Sequence, residues 1–126
     1  MIKKIFNINN KWKVIVYYNI DYNLFAYMAK DIRNLGLKDS SIYRIYKMLR
    51  SGRAKAVTIS SPVKKCSIVA FNPTDNTYDL INSIAHEAVH VMEAMLNYYE
   101  IDIKDEPPAY TVGHLVRIMM QPLGLI

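Results

Sequence analysis

Two of the three histidines in this sequence flank a glutamate, in His86-Glu87-Ala88-Val89-His90. On a helix, residues four apart are turned by about 40° and displaced by about 6 Å along the axis, so both imidazoles project from one face toward one point. A zinc ion can use such a pair. Neutral imidazole nitrogens bind Zn2+ at about 2.0 to 2.1 Å, and a glutamate one residue after the first ligand stands beside the metal's water, where it can take a proton. His86 and His90 are then ligands and Glu87 a general base. The competing reading is a structural cluster, in which the same three side chains bond to core neighbours instead.

The stretch that must position these residues is Tyr78 to Tyr99, which reads as the longest helix of the chain. Leu80, Ile81, Ile84, Ala88, Val91, Met92, Met95 and Leu96 make it apolar over much of its circumference, so the sequence predicts a buried helix whose histidines and glutamate need partners. Two histidines and a water leave one protein position open. Asp105-Glu106-Pro107-Pro108-Ala109-Tyr110 has the composition of a second helix start: Asp105 suits an N-cap, and prolines are tolerated in a first turn, where the N–H groups lack intrahelical partners. Glu106 follows His90 by sixteen residues, enough for the first helix to end near Tyr99, turn through Glu100 to Lys104, and return. Glu106 is therefore the candidate third ligand, with Asp105, Asp102 and His114 as rivals. A capping or solvated carboxylate is its mundane alternative. Tyr110 and Gly113 share its face.

With these residues in view, the chain resembles the zincin metallopeptidases of the gluzincin branch. His86-Glu87-Ala88-Val89-His90, then Glu106 with Ala109-Tyr110, then Gly113-His114-Leu115, looks most like the minimal domains of bacterial and phage origin. The resemblance covers mainly residues 67–117. It implies a zinc-bound hydrolytic site with His86, His90 and Glu106 as ligands and Glu87 as base, and a peptide or protein as substrate. The glycine and methionine-turn signatures of the metzincin branch are missing, as is a third histidine at that branch's spacing. Tyr110 or His114 could hydrogen-bond the developing oxyanion, and His114 could instead orient a ligand. Gly113 is expected to let the two helices approach closely. In such proteins the strand directly before the metal helix borders the cleft, which makes Ile68 to Asn72 the expected edge for pairing with a substrate backbone.

The rest of the chain supplies a scaffold of α+β type: a minimal zincin-like domain, with a small antiparallel or mixed sheet packed on helices and the histidine helix central. Lys11 to Ile20 reads as a strand that opens the sheet, with Trp12, Val14, Val16 and Tyr18 alternating against Lys13, Ile15 and Tyr17. Asp21 caps a helix running to about Leu35, with Leu24, Tyr27, Met28 and Ile32 on its buried face and Gly36 as its stop. Ser40 or Ser41 begins another helix, to about Arg50, with Ile42, Ile45, Tyr46 and Leu49 facing inward. Ala54 to Ser60 and Lys65 to Asn72 form an antiparallel hairpin turning at Ser61-Pro62-Val63.

The chain's 126 residues make one domain's worth. Cys66, the one cysteine, sits in an apolar run and reads as a small buried side chain. Asn7, Asn9, Asn10 and Lys11 interrupt the apolar core that a signal peptide would need, and no apolar run approaches the roughly 18 residues of a membrane span. The expectation is a cytoplasmic protein without a membrane partner. Charge is unevenly spread: residues 1–65 hold fourteen Lys and Arg against three Asp, a net of +11, and residues 66–126 hold two against eight acids, a net of −6. A nucleic acid partner for the basic half is thus a second hypothesis, with solvated helix faces as the simpler account. A third is a metal-binding interaction domain that has lost catalysis.

Overall fold

A computed structural model of the chain describes residues 1–99 and 106–125, with backbone only over 106–110. Four strands form one mixed sheet in the order β1-β2-β4-β3. β1 (Ile2–Ile8) and β2 (Trp12–Tyr18) are an antiparallel pair, β2 runs parallel to β4 (Cys66–Phe71), and β3 (Ala56–Ser61) is antiparallel to β4. The fold class is α+β, as expected.

The sheet does not open at β2. β1 precedes it and escapes a reading by periodicity because nearly all of its residues are exposed or half-buried; the ladder to β2 makes it a strand. Asn9 and Asn10 carry the turn, both at positive φ (52° and 57°), with Lys11 N–H donating to the Ile8 carbonyl at 2.9 Å. Two consecutive left-handed residues match the twist of an antiparallel pair, and asparagine tolerates that conformation best after glycine.

Helices cover both faces. Asp21 accepts a hydrogen bond from Asn23 N–H and caps a short 3-10 turn, Tyr22–Leu24, that runs into α1 (Phe25–Asn34). α1 buries Phe25, Met28, Ala29 and Ile32, whereas Leu24 and Tyr27, expected inside, are exposed. α2 (Asp39–Arg50) starts just ahead of the expected serines and buries Ile42 and Leu49. These helices pack with Ile15, Tyr17, Ile59, Ile68 and Ala70 on one face of the sheet. On the other, α3 (Thr77–Tyr99) and α4 (Glu106–Met120) pack through Ile84, Ala88, Val91, Leu115 and Met119 against Trp12, Val14, Val16, Val69 and Phe71. Burying a side chain of this size contributes about 1.5 to 3 kcal/mol.

All six residues of β4 are buried, which is the mark of a strand covered on both faces. Ile68 to Asn72 is therefore not an edge, contrary to the reading from sequence: β4 is hydrogen-bonded on both sides, and the edges are β1 and β3. β3 is the more polar strand of the hairpin. Val57 and Ile59 pack toward the α1–α2 side, which turns Thr58 and Ser60 toward α3.

Specific bonds fix α3 and α4 to the sheet. Tyr99 hydroxyl donates to the Lys11 carbonyl at 3.0 Å and Tyr18 hydroxyl to the Met119 carbonyl at 2.7 Å, while Trp12 Nε1, donating to Ser67 Oγ at 2.9 Å, ties β2 to β4 beneath them. Gly113 is exposed, and a Cβ there would meet nothing within 4 Å among the described residues. It is not a close-approach point between helices. Cys66 is buried, and burial pushes its thiol up. Among the described residues, no helix is long and apolar enough to cross a membrane.

Candidate metal centre

The local cause of the site is helix periodicity: His86 and His90 lie one turn apart near the middle of α3, and Asn76 starts that helix by accepting from the N–H groups of Tyr78 and Asp79. The two Nε2 atoms face each other at 3.1 Å, with ring planes inclined at 74°. Two nitrogens bonded to one tetrahedral zinc at about 2.0 to 2.1 Å would stand about 3.3 Å apart. The pair thus already spans close to the bite of the ion. The same separation also suits one imidazole N–H donating to the other ring's free nitrogen.

The histidines are not buried, although the helix carrying them is. Their side chains are 67% and 49% exposed, while that of Glu87 is only 6% exposed. The reason is the angle of each residue around α3. Ile84, Ala88 and Val91 face the sheet, Glu87 lies at the margin of that face under β3, and the histidines look outward. Imidazoles open to solvent on one side suit a hydrolytic site, which must keep a coordination position for water.

Glu87 is held from the strand. Thr58 Oγ1 donates to Glu87 Oε1 at 2.9 Å, and the other oxygen, Oε2, lies 3.8 Å from His86 Nε2. Glu93 Oε2 stands 3.8 Å from His90 Nδ1, the ring nitrogen on the far side from His86. At that distance Glu93 is a charged neighbour of His90 without a hydrogen bond to it. Thr58, Ser60, His86, Glu87, His90 and Glu93 line one cleft between β3 and α3.

Thr58 and Glu93 are absent from the sequence reading. Glu93 was within reach of a helical-spacing argument, being three residues after His90. Thr58 was hinted at only by being the polar member of the alternating run Val57-Thr58-Ile59.

The remaining candidates are placed less completely. Glu106 is the first residue of α4 and Tyr110 lies one turn into it, but both side chains are outside the described residues, as are Asp102 and Asp105. His114 is exposed on α4. Among the described residues, no three His, Cys, Asp or Glu side chains group so as to hold a metal ion. The described part of the candidate site is thus two imidazole nitrogens with a carboxylate beside them.

No protein-family model matches the chain, and neither curated proteins nor solved structures give a match.

Proposed function

We propose that the protein is a zinc-dependent metallopeptidase. The observation that carries this reading is the pair of solvent-open Nε2 atoms 3.1 Å apart beside a buried carboxylate with one oxygen tethered and one free. His86 and His90 supply two ligands, and we assign the third to Glu106 from its place at the head of α4. When bound, zinc polarises the scissile carbonyl and makes water a stronger acid.

The chain's own residues do the rest. Glu87 takes a proton from the attacking water at Oε2 and passes it to the nitrogen of the leaving amine, so that one carboxylate serves as base and then as acid. Thr58 keeps Oε1 occupied, which fixes the carboxylate plane and leaves Oε2 as the working atom. Tyr110 is our candidate donor to the developing oxyanion. The edge of β3 that, among the described residues, has no strand beside it supports this reading from the substrate's side, since an extended peptide can add to it through main-chain hydrogen bonds.

The test is hydrolysis of a mixed peptide library by the purified chain, read by mass spectrometry. Cleavage that requires zinc, stops with a chelator and falls by about 10²-fold or more in Glu87→Gln is the expected result. Cleavage indifferent to chelator and to Glu87→Gln would refute the mechanism.

A further inference from the structure

Three hollows follow one another along the seam between β3 and α3. Ala56, His86 and Glu87, which line the candidate metal centre, also border a recess that continues past Lys55, Asn82 and Ser83. Ala54, Lys55 and Ser83 in turn border a cavity of about 380 Å3 beside the first turns of α3. Shared walls make these one groove, with the histidines toward one end and the cavity at the other.

The cavity differs in chemistry from the metal centre. Leu49, Ala54, Phe71, Pro73 and Leu80 give it apolar walls. Several of its polar groups are already engaged within the chain. Asn72 donates both amide hydrogens, to the Leu49 carbonyl at 2.9 Å and the Ala54 carbonyl at 2.8 Å, and accepts at Oδ1 from the Tyr22 hydroxyl. Lys55 pairs with Asp79 at 3.3 Å, and the Arg50 guanidinium lies over the Tyr22 ring, 4.8 Å from its centroid. A polar ligand would have to break these bonds, whereas an apolar one gains by leaving water. The volume falls within the range of pockets that hold small organic groups.

Position completes the argument. Ser83 and Leu80 precede His86 by three and six residues on α3, or about 4.5 and 9 Å along the axis. An extended peptide lying along β3 advances about 3.3 Å per residue. A side chain about two residues from the bond at the metal centre therefore reaches the cavity.

We propose that this cavity is a specificity subsite for a bulky aliphatic or aromatic side chain of an extended peptide substrate, about two positions from the bond cleaved. The proposal rests on the peptidase reading for the bond cleaved, but its binding half stands apart from catalysis. It is tested with the zinc-loaded chain and short peptides differing at one position, Phe, Leu, Gly or Asp, scanned on both sides of the cleaved bond. At one position kcat/KM for Phe or Leu should exceed that for Gly or Asp by about tenfold or more. That ratio should fall toward one in Ser83→Phe, whose ring occupies the passage, and in Thr74→Trp at the rim. A ratio unchanged in both variants, with melting temperatures like the parent's, overturns the proposal.

If no peptide is cleaved, the hydrolytic reading fails by itself and binding decides the subsite. In Glu87→Gln protein, Phe- and Leu-containing peptides should shift the amide resonances of Leu80 and Ser83 saturably, and Asp-containing peptides should not. Equal or absent shifts across the series overturn the subsite as well.

Discussion

A buried carboxylate costs free energy unless donors reach it, and Glu87 has such a donor in Thr58 Oγ1 at 2.9 Å. Thr58→Val keeps the shape of the side chain and removes the donor. It should lower thermal stability by about 1 to 3 kcal/mol, the usual cost of an unsatisfied buried group, and lower kcat more than it raises KM. Thr58→Ser should restore both, and a valine variant with parental kcat would show that the tether is not needed. That His86, Glu87 and His90 stand together on one helix was legible in the sequence because a helical turn is local: residue types and a spacing of four suffice. Thr58 was not, because its bond to Glu87 joins residues 29 apart, and only the packing of β3 beside α3 brings them together. The exposure of the two histidines was also hidden, since an apolar helix is not apolar at every angle.

Among the elements, the hairpin β1–β2 depends on Asn9 and Asn10 at positive φ. Asn10→Ala should destabilise the fold by about 1 kcal/mol and Asn10→Gly should not, because a Cβ without a local hydrogen bond is strained there; equal melting temperatures for the two variants would contradict this. α1 is tied to the same hairpin through Asp31, which accepts from Lys3 at 2.8 Å and from the Tyr17 hydroxyl. Burial alone would push the Asp31 carboxyl up, but the bonds from Lys3 and Tyr17 outweigh it and hold the group below its ordinary value. A carboxyl with a lowered folded pKa stabilises above the unfolded value, about pH 4, and loses that contribution as pH falls through the folded one. Asp31→Asn should therefore cost about 1 kcal/mol near pH 7, and the gap in denaturant midpoint between it and the parent should close as the pH drops below about 4. A gap constant with pH would assign the loss to packing instead. The helices and the β3–β4 hairpin were readable from periodicity and turn residues. The strand order was not: β4 stands inside the sheet because Cys66 to Phe71, apolar but for Ser67, is buried on both faces, and nothing in a run of six residues states which strands flank it.

Over the whole molecule, the fold is a sheet between two helix pairs, and the candidate site lies where α3 passes the β3 edge. The class of the fold was visible in the alternation of strand and helix patterns, but the pairing of β2 with β4, across α1, α2 and β3, is a long-range fact that local sequence does not carry. The basic residues 1–65 against the acidic remainder would favour nucleic acid binding only if retention on DNA or RNA were to fall steeply with salt and persist without metal. A ligand that binds the folded chain alone must stabilise it by mass action, by about 4 kcal/mol at a thousand times its dissociation constant. Zinc should accordingly raise the melting temperature of the parent and leave those of His86→Ala and His90→Ala unmoved.

The central claim is tested most directly by counting zinc in the purified chain after dialysis against excess metal and then metal-free buffer. The account predicts about one ion per chain in the parent and in Glu87→Gln, and a marked loss in His86→Ala, His90→Ala and Glu106→Ala. A parent that retains none, or histidine variants that retain as much as the parent, would contradict it.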